Sequence, residues 1–362
     1  MKHTHHSPQA SSRWKPMAFL AFLCLSTLGG CLTNCQPLFS PRSVIDKYRL
    51  LAIRAEPPEI GPGDTTRISM LTVTPDGTVK SSEYKPFPSC ITDAGVADPS
   101  AFWIACLPGT GAVQTSDQAC TQFPGVNTDG GDGGGVPTLP TPGQDAGDSP
   151  FSLVLPPCGS NATWTAPKDY LSKLPKADQF KGREVLLVSL LTFKGKQQTS
   201  LKRIKLSTKP KEQRNRNPVA LSFQLKDKDV STCTRGKPFG CDVLESPANV
   251  PIELKIRVDL KSRDTLPPNE QKELKQEEED FRISWYATNG ELDNSSTYLV
   301  GGKNPPAPQW PKWYPNTFEG KKLKEGDTIQ LYALVSDYRG GIDWISIRIK
   351  LTAPVANPPS SD

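Results

Sequence analysis

The chain has 362 residues, 36 of them proline, and a formal net charge of +5. Proline at about twice its usual share disfavours long helices and points to many turns. The charge balance gives no electrostatic basis for a nucleic-acid partner, and the length is enough for two ordinary domains.

In chain order, Lys2, Arg13 and Lys15 precede an apolar run, Pro16 to Gly30. A basic segment followed by roughly 12–15 apolar residues ending in small ones is the pattern of a secretory signal, and is short for a membrane-spanning helix. Leu28-Gly29-Gly30-Cys31 resembles a bacterial lipobox. The resemblance implies cleavage before Cys31, diacylglycerol on its sulfur, and acyl (palmitate-type) chains that hold the protein at a membrane surface. Leu32 follows the cysteine, which by the enterobacterial sorting rule implies the outer membrane. Residues 1–30 are therefore expected to be a signal peptide and 31–43 a tether. Removing the signal leaves 40 basic against 38 acidic side chains, a net +2, and removes His3, His5 and His6, the only histidines. Without histidine, Ser-His-Asp and Cys-His catalysis and the usual histidine zinc sites are excluded. No metal or other cofactor is expected, and no enzyme activity.

Seven cysteines follow Cys31. Export permits disulfides. Cys233 and Cys241 bracket a turn-rich stretch and are expected to pair. Cys90, Cys106, Cys120 and Cys158 admit three pairings, of which Cys106–Cys120 with Cys90–Cys158 is favoured. Cys35 is left over beside the anchor.

Residues 48–55 (YRLLAIRA) and 66–73 (TRISMLTV) read as strands, separated by a proline- and glycine-rich turn and closed by Thr74-Pro75-Asp76-Gly77. Residues 102–109 (FWIACLPG) read as a central strand carrying Trp103 inward. Residues 127–150 are rich in glycine and proline and read as a flexible loop. Asn127, Asp129 and Asp132 do not meet the ligand spacing of a calcium loop. Residues 209–217 are polar and proline-flanked and read as a linker. Beyond it, Val219, Leu221, Phe223 and Leu225 alternate with polar neighbours, as do Ile252 to Leu260 and Ile345 to Leu351, the pattern of half-buried antiparallel strands. Residues 269–281 (NEQKELKQEEEDF) form the best helix candidate. Trp285 is expected to point into a core. Trp310, Trp313 and Tyr314 lie in a proline-rich stretch and have two readings: an exposed candidate binding platform, or a loop packed onto its own domain.

The segment 185–208 overlays 330–353. Leu186 matches Leu331, Phe193 matches Tyr338, Gly195 matches Gly340, and Arg203 to Leu206 matches Arg348 to Leu351. Each copy reads as a strand, a glycine turn and a strand. The expected fold is thus all-β: two tandem immunoglobulin-like β-sandwiches, 44–208 and 218–353, with a disordered tail at 354–362.

The first strand and turn LLAIRAEPPEIGPGD, the core SWYATNGEL and the hairpin LVSDYRGGIDW resemble a family of uncharacterised bacterial outer-membrane lipoproteins with a lipobox and tandem immunoglobulin-like domains. The resemblance spans about residues 48–353 and carries no activity with it. Sandwiches that present loops at their ends, disulfides and a lipid tether point instead to a non-enzymatic structural or protein-binding role in the cell envelope, with an envelope protein or a glycan as the expected partner. The alternative is a carbohydrate-binding surface module for peptidoglycan or exopolysaccharide.

Overall fold

In the computed structural model, the structure describes residues 43–80, 83–84, 91–92, 95–96, 100–107, 151–158, 160–225, 228–230, 243–266, 268, 271–272, 277–302, 305–315 and 323–356. These residues fall in one compact unit.

In the first half the strands are β1 (Arg49–Glu56), β2 (Glu59–Ile60), β3 (Thr65–Thr74), β4 (Gly77–Thr78), the small ribbon β5 (Ile91–Thr92) and β6 (Gly95–Val96), β7 (Ser100–Cys106), β8 (Phe151–Cys158), β9 (Asn161–Thr165), β10 (Arg183–Phe193) and β11 (Lys196–Leu206). A short helix, α1 (Lys176–Lys181), precedes β10. The sheet order is β1-β3-β9-β8-β7-β10-β11-β2, with β4 on β3. Strands β1 and β2 are nearly continuous in sequence, yet they occupy opposite ends of this path. The chain crosses from one layer to the other at Pro57-Pro58, where β2 joins β11 in parallel. Proline lacks the N–H a sheet interior needs, so a proline pair suits this crossing. Between the layers lie Ile53, Ile68, Trp103, Trp164, Leu187 and Ile204. Trp103 is fully buried, as its strand pattern predicts.

The second half contains β12 (Ala220–Leu225), β13 (Lys228–Val230), β14 (Val243–Pro247), β15 (Ile252–Glu253), β16 (Lys255–Val258), β17 (Phe281–Ala287), β18 (Glu291–Leu292), β19 (Ser296–Leu299), β20 (Lys312–Tyr314), β21 (Thr328–Ser336) and β22 (Ile342–Thr352). One layer has the order β14-β22-β21-β17-β19; the other is built from β13-β12-β16 and β15-β20-β18. The plan repeats the first half. The hairpin β21–β22 takes the place of β10–β11, β17 that of β7, and parallel β14 that of β2. The core holds Phe223, Ile256, Trp285, Trp313, Leu331 and Ile349. Two sandwiches of immunoglobulin type result.

The duplication is offset by one residue from the sequence overlay. In the first hairpin Phe193 pairs with Lys196, leaving the two-residue turn Lys194-Gly195. In the second, Ser336 pairs with Ile342, and the Asp337 amide bonds the Gly341 carbonyl at 3.1 Å, leaving a three-residue turn, Tyr338-Arg339-Gly340. Val185 and Leu187 face the first core, whereas Ile329 and Leu331 face the second. Leu187, not Leu186, is therefore the equivalent of Leu331. The returning strands keep the original offset, with Ile204 and Leu206 corresponding to Ile349 and Leu351. Because strand side chains alternate faces, a slip of one would have turned the core face outward; the extra turn residue absorbs it.

Three further expectations need correction. Leu221 is 42 % exposed, because the register slips between Ala220 and Ser222 and bulges it out of the alternation. Leu260, 55 % exposed, does not extend the preceding strand but begins the 3-10 turn Leu260–Ser262, capped by the Asp259 carboxylate. The helix expected at 269–281 does not reach its end: 277–280 are not helical and Phe281 opens β17. Most of the rest of that helix lies outside the described residues, as does the loop 127–150.

Candidate functional site

The densest polar chemistry lies where the two sandwiches meet, on the segment expected to be a simple linker. In Arg214-Asn215-Arg216-Asn217 the asparagines are buried and the Arg216 side chain is exposed, a period-two pattern of an extended chain. Asparagine carries both a donor and an acceptor; Asn217 uses both to join the two halves, and Asn215 uses its donors. The Asn217 amide donates to the Ala55 carbonyl of the first sandwich at 2.7 Å, and its carbonyl accepts from the Ile342 amide of the second at 2.9 Å. Asn215 donates its backbone N–H to Glu59 Oε2 at 2.9 Å. Its side-chain amide donates to the Arg339 carbonyl at 3.2 Å and to Asp337 Oδ2 at 3.3 Å.

Glu59 is the anchor on the first sandwich. It is fully buried and accepts from Ser207 Oγ at 2.7 Å, with Lys209 Nζ at 3.3 Å and Arg339 Nη2 at 3.7 Å. Burial pushes its carboxyl up, but the Asn215 amide, the Ser207 hydroxyl and the charges of Lys209 and Lys205 outweigh this and hold it below the ordinary range. Facing it is the second hairpin turn. Asp337 receives the Arg339 and Gly341 amides on Oδ1 at 2.8 and 2.7 Å, which fixes the turn. Burial still leaves its carboxyl above the usual value. From the first sandwich, Lys202 Nζ donates to the Gly340 carbonyl at 2.5 Å, and burial pulls its ammonium down to about 8.

Arg339 is shared by three carboxylates. Besides Glu59, its Nη1 lies 3.4 Å from Asp264 Oδ2 and 4.0 Å from Glu279 Oε2. Glu279 is buried; its Oε1 accepts the Asp264 amide at 3.0 Å, and its Oε2 has no hydrogen-bond partner. Burial, with the neighbouring Asp337, pushes its carboxyl up to about 8. Two clefts open along the segment. One, of about 540 Å³, is lined by residues including Glu59, Asp64, Arg214 and Asn215; the other, of about 380 Å³, by residues including Arg54, Glu56, Asn217 and Lys261. Among the described residues no three metal-ligating side chains converge.

An apolar seam accompanies the polar one. Ala52, Leu71 and Val73 of the first sandwich pack on Tyr332 and Leu334 of the second, together with Ile45, whose amide bonds the Ala287 carbonyl of the second sandwich at 2.8 Å, and are flanked by Tyr286, Ile342 and Trp344. Thr78 Oγ1 and the Tyr332 hydroxyl lie 3.0 Å apart across it.

Of the two readings of Trp310, Trp313 and Tyr314, the structure holds packing onto their own domain and not the exposed platform. Trp313 is fully buried in β20, with its indole N–H donating to the Asn289 carbonyl at 2.9 Å. Trp310 is half-buried and meets Trp285 edge-on, ring centroids 6.3 Å apart. Tyr314 is half-buried, paired with Glu291. The physical reason is that β20 is a sheet strand rather than a loop, so its central residue points into the core. A surface that sequence reasoning missed carries Tyr338, 69 % exposed, and Tyr298, 46 % exposed, with the Arg282 guanidinium 6.0 Å from the Tyr298 ring. Neither tyrosine stands out in a linear pattern, because strand pairing brings them together.

The lipobox residues Leu28, Gly29, Gly30 and Cys31, together with Cys90, Cys120, Cys233 and Cys241, lie outside the described residues. Cys106 is disulfide-bonded. Cys158 pairs with Phe102, four residues along β7 from Cys106, or roughly 13 Å at strand spacing, which is beyond disulfide reach.

No protein-family model matches the chain, and no curated protein matches its sequence. Similar solved structures are dimeric latent PorU from Porphyromonas gingivalis (10 % identity, 87 % of this chain and 25 % of that chain, TM-score 0.19) and a chimeric titin Z1Z2 (9 %, 86 % and 99 %, 0.17). The adhesin InvE of Yersinia pseudotuberculosis is another (10 %, 85 % and 63 %, 0.19). The chain spans a quarter of PorU. Likenesses at these scores carry no argument about function.

Proposed function

We propose that this chain is a lipid-anchored protein of the cell envelope, in which two immunoglobulin-like sandwiches serve as one stiff, non-enzymatic arm that holds or binds an envelope protein. The observation that carries the arm is Asn217, buried between the halves and bonded to the backbone of both. A connector meant only to link two mobile domains has no need of buried side chains. The anchor rests on Leu28-Gly29-Gly30-Cys31. Replacement of Cys31→Ser should move the protein from the membrane fraction to the soluble extract of cells that export it. Retention in the membrane after that change would sink the anchor.

A second reading, glycan binding, is supported by the exposed pair Tyr298 and Tyr338 beside Arg282. Rings that stay in solvent offer flat faces to sugars. Titration with peptidoglycan fragments and exopolysaccharide should change intrinsic fluorescence, and Tyr298→Ala with Tyr338→Ala should abolish the change. An unaltered spectrum with every glycan removes this reading.

A further inference from the structure

We propose that the junction is a proton-operated clamp: Glu279 competes with Glu59 for the single guanidinium of Arg339, so ionisation of Glu279 loosens the hold between the sandwiches. Arg339 projects from the turn of the second hairpin and reaches Glu59 of the first sandwich at 3.7 Å and Asp264 and Glu279 of its own sandwich at 3.4 and 4.0 Å. Glu59 already has three other partners, Ser207, Lys209 and the Asn215 amide. Glu279 Oε2 has none. A neutral carboxyl tolerates that position; a buried carboxylate does not, and the cation within its reach is Arg339.

The surroundings decide the direction. From its own segment, Glu278 is occupied by Arg263 at 3.7 Å, and Asp280 accepts the Gly301 amide at 2.7 Å. From the preceding turn, Asp264 faces Glu279 through its backbone amide and is bound by Arg216 at 3.0 Å. From the second hairpin turn come Asp337 and Arg339, and through Asp337 the field of Lys202. The Asp337 and Asp264 carboxylates repel a charge on Glu279; the Asp264 amide, already spent on Oε1, and the Arg339 guanidinium favour it. While Glu279 is protonated, Arg339 is divided between Asp264 and Glu59. Once it ionises, a second carboxylate charge beside Asp264 on the same Nη1 draws the guanidinium toward its own sandwich and away from Glu59. The junction then goes without the Arg339–Glu59 ion pair that spans it. Burial places this titration at about pH 8, inside an attainable range.

Hydrogen exchange by mass spectrometry on the full chain, corrected for intrinsic rates, tests this at pH 6.5 and pH 9. Peptides covering 54–60, 209–217 and 337–343 should fall about tenfold in protection at the higher pH, the factor that one pKa unit of coupling carries. Core peptides from β10 and β17 should keep theirs. Glu279→Gln, which mimics the protonated form, should be tight at both pH values. Glu59→Gln should be loose at both, while retaining a hydrogen-bonding side chain for Ser207 and Asn215. Equal protection of the wild type at the two pH values overturns the clamp. So does a pH response that persists in Glu279→Gln, since Lys202 would then be its source.

Discussion

Glu279 shows how a single side chain can carry a large share of a protein's pH response. Its ordinary carboxyl value of 4.5 is raised to about 8 by burial and by Asp337. Between these values the unfolded chain releases a proton that the folded chain keeps, so the contribution is complete below about 4.5 and is lost as pH climbs to about 8. Urea denaturation at pH 5 and pH 8 should show a wild-type decline on the order of 3 kcal/mol greater than that of Glu279→Gln. Lys202 slopes the opposite way at higher pH: its value falls from 10.5 to about 8, so stability is regained as pH rises from about 8 to 10.5. Keeping the comparison at pH 8 or below separates the two. Neither residue is conspicuous in the sequence, where each is one of many acids or lysines. Their environments are made by other segments of the chain: Asp337 and Arg339 of the second hairpin turn for Glu279, and Gly340, 138 residues away, for Lys202.

At the scale of elements, strands and turns were largely legible because alternation and turn chemistry are local. Ile345, Ile347, Ile349 and Leu351 are all buried, as their spacing predicts. The exceptions are places where one residue breaks the period: the bulge at Leu221 and the extra residue in the Tyr338-Arg339-Gly340 turn. The first strand bulges at the matching place, between Leu50 and Ala52. There the displaced Leu51 packs into the seam between the sandwiches, whereas Leu221 meets solvent. The turn before β18 is equally exacting. Gly290 has φ +82°, and a Cβ there would stand 2.3 Å from the Trp313 indole nitrogen. The sequence NG marks the turn, but the burial of Trp313 against it could not be read from spacing. Gly290→Ala should cost about 2–3 kcal/mol, combining left-handed backbone strain with overpacking of a core tryptophan. Equilibrium denaturation checks the value, and a shift below about half a kcal/mol would mean the indole is free to move.

At the scale of the molecule, the two sandwiches should behave as one. Separating them would bare Tyr332, Leu334 and Val73 and leave Glu59, Asn215 and Asn217 without cross-junction partners. Burying a large apolar side chain is worth about 1.5–3 kcal/mol, and an orphaned buried polar group costs about 1–3 kcal/mol. Several of each at one seam exceed what an isolated domain can spare. Differential scanning calorimetry at pH 6.5 should therefore give a single transition whose calorimetric and van't Hoff enthalpies agree. Two resolved transitions would show that the halves are energetically independent.

The amino-acid order by itself determined the all-β class, the duplication, the inward tryptophans Trp103 and Trp285, and the expectation of an anchor at Cys31. All of these rest on short-range patterns: period-two alternation, glycine and proline at turns, and a contiguous motif. Only the tertiary structure decided that Trp313 lies in a core rather than on a platform, that Asn215 and Asn217 of the segment 209–217 are buried between the sandwiches, and that Arg339 is contested by three carboxylates. Those outcomes depend on which distant backbones meet. Burial of a polar or aromatic side chain is a property of the assembled surroundings, and no local pattern encodes it.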